Sequence, residues 1–201
     1  VPAAAETATP TRRSVSPATS TPSATSATST PIPSLPTTPP EVTDNDAVEI
    51  VLYNQSPYAI CYVFISPSDA DAWGDDQLGA EEVVPTGVRR TFEVAAGSYD
   101  VLARTCDEAI LMTAWGVVSD ASYTIGGAGL EPLLIVNESE AAACYVYVSP
   151  SSSDQWGPDQ LGDVEALPPG ETRILFFEPG IYDVRAQDCE EQTLSSQFEL
   201  A

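Results

Sequence analysis

The stretch Cys61–Gly79 reads CYVFISPSDADAWGDDQLG, and 83 residues later Cys144–Gly162 reads CYVYVSPSSSDQWGPDQLG. The correspondence continues on both sides without a gap: residues 48–118 and residues 131–201 share 28 identities in 71 aligned positions. A repeat of this length marks one structural unit used twice. The sequence therefore predicts two tandem modules, residues 45–127 (module 1) and residues 128–201 (module 2).

Both modules have the pattern of all-β structure. Apolar runs that are short and rich in β-branched or aromatic residues indicate strands rather than helices. The clearest are Val48–Tyr53, Ile60–Ser66 and Leu111–Val117, with module 2 counterparts at 133–136 and 143–149. Glycine and proline turns separate strands whose apolar residues alternate, as after Gly97 and Gly180. We expect two Ig-like β-sandwiches, because six or seven strands per module are too few for a jelly roll.

The four cysteines fall into two pairs, each with a spacing of 45 residues inside one module. This spacing predicts the disulfides Cys61–Cys106 and Cys144–Cys189. A zinc site is excluded because the chain has no C-x2-C pair and no histidine. Persistent disulfides point to an oxidising, extracellular compartment.

Residues 1–44 form a tail of different chemistry. Residues 1–40 contain 17 Ser or Thr, 9 Pro and 7 Ala. Such a segment buries too little apolar surface to offset its ordering entropy, and we expect an extended, polyproline-biased stalk. The composition is that of an O-glycosylated stalk or of an unmodified linker.

The charge of the chain excludes two classes of partner. The net charge is −23, with 30 acidic residues, 7 arginines and no lysine. Nucleic acids and anionic membranes require a basic surface, so neither is an expected partner. The sequence contains no apolar run of 18 residues, the length that would predict a membrane-spanning helix. The chain begins Val-Pro-Ala-Ala-Ala, which we interpret as a mature extracellular or cell-surface protein after removal of a signal peptide.

The repeated loop S-P-S-x-x-D-x-W-G-x-D-Q-L-G has three interpretations. The first is a structural turn, with Asp71 or Asp154 as its cap and the Trp covering the end of the sandwich. The second is a calcium loop with Asp71, Asp76, Asp154 and Asp159 as candidate ligands, although calcium prefers six to eight oxygens and only two carboxylates recur per copy. In the third, Trp73 and Trp156 are exposed platforms for a sugar or a neighbouring subunit.

The loop and its flanks resemble a type of small secreted bacterial β module. The motif is S-P-x5-W-G-x-D-x-L-G, followed by P-x-G and then G-x-Y-D. In module 1 it is carried by Ser66-Pro67, Trp73-Gly74, Asp76, Leu78-Gly79, Pro85, Gly87, Gly97 and Tyr99-Asp100, and in module 2 by the residues 83 positions later. The resemblance implies a secreted surface module and implies no activity.

Asn54 and Asn137 each begin an N-x-S sequence at matching positions. The two triplets are possible N-glycosylation sites, although Pro57 weakens the first. The alternative is structural: each Asn closes a strand and starts a turn.

The composition argues against an enzyme. Without His or Lys, the usual general base and the Schiff-base nucleophile are missing, and the cysteines are assigned to disulfides. Paired carboxylates could hydrolyse glycosides, but the acidic residues are spread along both modules. Two classes remain: a structural subunit of an extracellular fibre, sheath or layer, and a binding module for carbohydrate or a protein.

The end of the repeat is unequal. Ala121–Ile125 is a strand candidate, and its counterpart would begin at position 204, after Ala201. Either this strand belongs to module 2, with Glu41–Thr43 as its poorer equivalent, or module 2 has an open edge that invites another chain. The tail is the expected donor to a homo-oligomer or filament. Its only cations, Arg12 and Arg13, are expected near carboxylates of another subunit.

Overall fold

The computed structural model describes residues 11–12 and 47–201. Every regular element in these ranges is a β-strand, and no helix occurs in them. The thirteen strands are β1 (Thr11–Arg12), β2 (Ala47–Gln55), β3 (Tyr62–Pro67), β4 (Arg89–Ala95), β5 (Tyr99–Arg104), β6 (Ile110–Val117), β7 (Ala121–Gly126), β8 (Glu131–Val136), β9 (Tyr145–Pro150), β10 (Glu165–Ala166), β11 (Thr172–Phe177), β12 (Tyr182–Gln187) and β13 (Thr193–Leu200). The all-β prediction is confirmed.

Two three-stranded layers form module 1. In one, β2 pairs antiparallel with β4 and parallel with β7; in the other, β5 lies between β3 and β6. The two layers enclose an apolar core in which Ile50, Leu52, Val63 and Val101 are fully buried. Alternation along β2 places every second side chain in this core, as the period of a strand requires.

The strand Ala121–Gly126 belongs to module 1, which decides between the two alternatives for the end of the repeat. It pairs with β2 over six positions, from Ile50↔Ala121 to Gln55↔Gly126. Gly126 has φ of 73°, and a Cβ there would lie 2.8 Å from the Cα of Ser56. Only glycine fits this close approach without strain, so the end of β7 packs directly against the backbone of Ser56.

In module 2, β8 pairs antiparallel with β11, while β9, β12 and β13 form a separate three-stranded sheet with β12 in the centre. The core between them contains Val146, Leu167 and Leu175. These strands lie 83 positions after those of module 1 to within a few residues. The exception is β7, which has no counterpart among the strands that the structure describes in module 2.

The two modules are joined through one sheet, which the sequence analysis did not anticipate. β6 and β11 pair in parallel at Ile110↔Arg173, giving the order β3-β5-β6-β11-β8. The central strands of this sheet are covered on both faces: Ile174 packs into the core of module 1, and Leu175 packs into the core of module 2. The simple alternation expected for strands with one solvated face therefore fails in β5 and β11.

Two disulfides close the fold. They join Cys61 to Cys106 and Cys144 to Cys189, with Cα–Cα distances of 4.9 and 5.0 Å. These are the predicted pairs, and each bond stays inside one module.

Candidate functional site

The repeated loop is held by its own side chains in both modules. Asp76 Oδ1 accepts hydrogen bonds from the N–H groups of Val63 (2.9 Å) and Leu78 (3.1 Å). Ser66 Oγ accepts one from Gly74 N–H (2.8 Å). Module 2 repeats the three bonds with Asp159 and Ser149 as acceptors and Val146, Leu161 and Gly157 as donors.

These contacts correct the expected roles of the loop aspartates. Asp76 and Asp159, rather than Asp71 and Asp154, satisfy the backbone of the loop, and the latter two are exposed. In the described ranges no group of three or more Cys, Asp or Glu side chains is placed to share a metal ion. Of the four carboxylates in the calcium interpretation, Asp76 and Asp159 are thus engaged with backbone N–H groups.

Trp73 and its aromatic neighbours form a cleft on the face of β3 and β5 opposite the module 1 core, where Phe64 and Trp73 also pack against the core of module 2. The Trp73 ring lies 5.8 Å from Trp115 and 6.5 Å from Phe64, which stacks on Tyr62 at 6.5 Å between centroids. All four aromatic rings are partly exposed. The cleft has a volume of about 270 Å³ and is lined by Tyr62, Phe64, Trp73, Gly74, Leu102, Arg104 and Glu108. We call it the aromatic cleft.

The equivalent place in module 2 contains an arginine of the chain itself. Arg185, the counterpart of Leu102, holds its guanidinium carbon 4.9 Å from the Tyr147 ring and 4.7 Å from the Trp156 ring. Burial raises the pKa of Tyr147, and the Asp159 carboxylate adds to the rise while Arg185 opposes it. Trp156 is therefore engaged inside the module, whereas Trp73 borders an open cleft.

A charged cluster lies where the two modules meet. Arg104 of β5 and Glu171, just before β11, form a 2.9 Å ion pair whose side chains are 5% and 6% exposed. Close by, Arg173 lies 3.5 Å from Glu165, which also accepts a hydrogen bond from Thr113. Burial raises the pKa of Glu171, while Arg104 opposes the rise by charge and hydrogen bond.

Sequence reasoning missed this cluster. The acidic residues are spread along both modules in sequence, and none was singled out as buried, yet Glu165 is 1% and Glu171 is 6% exposed. The available signal was an arginine directly beside two apolar stretches: Arg104 follows residues 99–103, and Arg173 precedes residues 174–177. Buried charges are paired as a rule, so each of these arginines required a carboxylate partner.

The outer edge of β8 is unpaired among the described residues. β8 pairs with β11 alone, whereas its module 1 counterpart β2 has a strand on both sides. Leu134 and Val136 are 50% and 51% exposed. A groove of about 80 Å³ follows this edge, lined by Leu133, Leu134, Ile135, Val136, Val184, Ala186, Ser195, Gln197 and Leu200. We call it the β8 groove; it occupies the place that β7 fills in module 1.

The two sequon asparagines are structural. Asn54 Nδ2 donates to the carbonyls of Tyr58 and Val84, each at 2.8 Å, and its Oδ1 accepts from Ser56. Asn137 repeats the arrangement with Ala141, Leu167 and Ser139. Asn54 is 0% and Asn137 is 6% exposed, so the folded chain leaves no room for a glycan on either amide. The alternative, an Asn that starts a turn, agrees with these contacts.

The structure describes only one short piece of the tail. The backbone of Thr11–Arg12 pairs antiparallel with Glu165–Ala166, with Arg12 opposite Glu165. Arg13 and the rest of the predicted stalk, and Glu41–Thr43, lie outside the described residues. Contact of the tail with another subunit stays a prediction.

Within the described ranges no helix is long and apolar enough to cross a membrane. Comparison of the chain with protein-family models, with curated proteins and with solved structures finds no match.

Proposed function

We propose that the protein is an extracellular structural subunit of a cell-surface fibre, sheath or layer, in which the tail contacts neighbouring subunits. The β8 groove is the observation that carries this proposal. An edge strand with free backbone groups and exposed apolar side chains accepts another strand unless something covers it. Two disulfides support an extracellular location.

The lining of the β8 groove favours a strand of small side chains. In module 1, Met112 and Ala114 of β6 pack against the same core as Ala121 and Tyr123 of β7. Their counterparts in module 2 are the polar Ser195 and Gln197, which line the groove. A donor rich in Ser, Thr and Ala can satisfy these polar groups and still lie against Ile135. The tail has this composition, and it adds almost no negative charge to modules that repel one another.

One run of the tail is long enough to form the ladder. Proline cannot donate to a sheet, so a donor must be free of it over about six residues, the length of the β2–β7 pairing. Residues 23–30, S-A-T-S-A-T-S-T, are the longest proline-free run in residues 1–40. We assign this run of a neighbouring subunit to the β8 groove, which makes a head-to-tail and open-ended contact.

The test is imaging and sedimentation of the full chain with matched variants. Leu134→Glu places a charge at the β8 edge, and Val118→Glu is its control at another exposed apolar position. Ser26→Pro interrupts the donor run, and Thr37→Pro is its control elsewhere in the tail. We expect Leu134→Glu and Ser26→Pro to abolish polymers while both controls retain them. Polymers that survive both disruptive variants, or a full chain that is monomeric at every concentration, would refute the proposal.

Two finer assignments accompany this function. We assign each module to the Ig-like β-sandwiches, since layers of three short strands with Gly and Pro turns suit that architecture. We place the mature protein at the cell surface, which agrees with its disulfides and its acidic charge.

A second candidate function is a secreted binding module for carbohydrate or a protein. The aromatic cleft supports it, because exposed aromatic faces beside polar side chains are suited to sugar rings and to interface anchors. Binding of a panel of oligosaccharides, lost in Trp73→Ala and kept in Trp156→Ala, would favour this function over the structural one.

A further inference from the structure

The site in module 2 that corresponds to the aromatic cleft already contains a side chain, and that side chain indicates which ligand the cleft can bind. Tyr147 and Trp156 hold the Arg185 guanidinium on their faces, and the matching residues in module 1 are Phe64 and Trp73. Module 1 has Leu102 where module 2 has the arginine, so the position that supplies the cation in module 2 is apolar in module 1. A cation on an aromatic face is a favourable contact, and arginine is the side chain that most often makes it.

Charge in the aromatic cleft is also suited to a guanidinium. Glu108 lies exposed at its rim, while Arg104 in its wall is neutralised by Glu171 at 2.9 Å. These are the charged groups at the cleft, and the net charge of Glu108, Arg104 and Glu171 together is −1. A guanidinium that stacks on Phe64 or Tyr62 can therefore also pair with the Glu108 carboxylate.

The described piece of the tail, Thr11–Arg12, lies near this place. β1 ends at Arg12 and pairs with β10, where Glu165 accepts a hydrogen bond from Thr113. Thr113 in turn is the ladder partner of Leu102, which lines the aromatic cleft. The backbone of Thr11–Arg12 is thus linked to the lining of the cleft through Glu165 and Thr113, and Arg12 and Arg13 are the only cations of the tail.

We propose that the aromatic cleft is a binding site for an arginine side chain and that its occupant is the Arg12–Arg13 pair of the same chain. This goes beyond the proposed function, because it concerns a contact inside one subunit.

Trypsin measures this docking directly, because it cleaves after arginine only when the guanidinium is free to enter the protease. The probe is the rate of cleavage of the full chain after Arg12 and after Arg13, each bond followed by mass spectrometry. The reference is the isolated peptide of residues 9–17. We expect cleavage at one of the two bonds to be at least tenfold slower in the full chain than in the peptide.

Matched variants separate the aromatic cleft from protection by strand pairing alone. Glu108→Gln should raise the cleavage rate severalfold, whereas Glu191→Gln, the equivalent change in module 2, should leave it unchanged. Leu102→Arg should release the tail by filling the cleft from inside. Because Leu102 is buried and this variant can fail to fold, Glu108→Gln decides the matter alone. Equal rates for the full chain and the peptide, or equal effects of Glu108→Gln and Glu191→Gln, would overturn the proposal.

Protein concentration identifies the source of the arginine. Docking inside one chain gives a protection that is constant between 1 and 100 µM. Protection that grows with concentration would overturn the assignment to the same chain, and it would identify the occupant as the tail of a second copy.

Discussion

Modules 1 and 2 share the same strand framework. They differ at two places: the position beside the first strand of each module, and the aromatic site. At the first, module 1 carries β7 beside β2, while module 2 leaves the β8 groove unfilled among the described residues. At the second, module 2 fills its aromatic site with Arg185, while module 1 has an open aromatic cleft. One fold thus has two optional sites, and each is filled in the module where the other is open. The difference teaches that function should be sought where the copies diverge.

Removing either disulfide should reduce the free energy of unfolding more than any other change considered. Each bond closes a loop of 45 residues, which is worth about 4 kcal/mol in the chain-entropy model. We expect Cys144→Ala with Cys189→Ala to be more damaging than the same pair of changes in module 1, because module 2 lacks the core contributed by β7. Denaturant unfolding of the two variants measures the difference. Equal losses would mean that β7 contributes little to the stability of module 1.

Breaking the ion pair between the modules should rank second. Arg104→Leu leaves Glu171 buried without its cation, at a cost of about 3–5 kcal/mol. The double variant Arg104→Leu/Glu171→Leu should recover most of that loss, because no charge then remains buried. A double-mutant cycle by thermal unfolding checks both expectations. A double variant as unstable as the single one would show that packing, and not charge, is decisive.

Glu171 should also make stability depend on pH. Its pKa is raised in the folded chain, so the native state holds this proton more tightly than the unfolded state. The stabilising contribution is present at low pH and is lost as pH rises from the usual carboxyl pKa through the raised one. The stability of the wild type minus that of Glu171→Gln should therefore fall across this window. A difference that rises with pH would contradict the assigned direction.

The two loop tryptophans should have intermediate effects. Trp73→Ala and Trp156→Ala each expose partly buried apolar surface, and we expect losses of about 1–2 kcal/mol. Trp156→Ala should cost more, because it also removes one of the two aromatic faces under Arg185. Melting temperatures of the two variants measure this order. Carbohydrate binding is expected to be nil in the wild type and in both variants; sugar binding lost without loss of stability would favour the binding module.

Replacing Arg185 should cost less. Its contacts with Tyr147 and Trp156 are cation–π interactions at partly exposed sites, worth about 0.5–1 kcal/mol each. Arg185→Met retains the apolar stem and removes the charge. Chemical denaturation should register the loss, and a variant as stable as the wild type would show that Arg185 only fills space.

The smallest effect is expected from calcium, which should not change the stability of the protein. The recurring carboxylates Asp76 and Asp159 already accept two backbone hydrogen bonds each. We expect no change in melting temperature with millimolar calcium. A clear stabilisation would restore the calcium-loop interpretation.

The local features of this chain could be predicted from its sequence, because nearby residues determine them. Spacing was sufficient for the disulfides, strand pattern for the all-β class, and the repeat for the register of the loops. The capping aspartates were assigned wrongly, because two Asp residues five positions apart suit a turn equally well.

What tertiary structure alone decided is how the modules meet. The parallel pairing of Ile110 with Arg173 depends on two strands from different modules, which no local pattern encodes. It buries Glu165, Glu171 and Arg104, which are polar in any sequence profile, and it covers both faces of β11. Sequence determined what each module is, because its strands and loops are set by short-range chemistry; only long-range packing decided which surfaces are buried and which remain open.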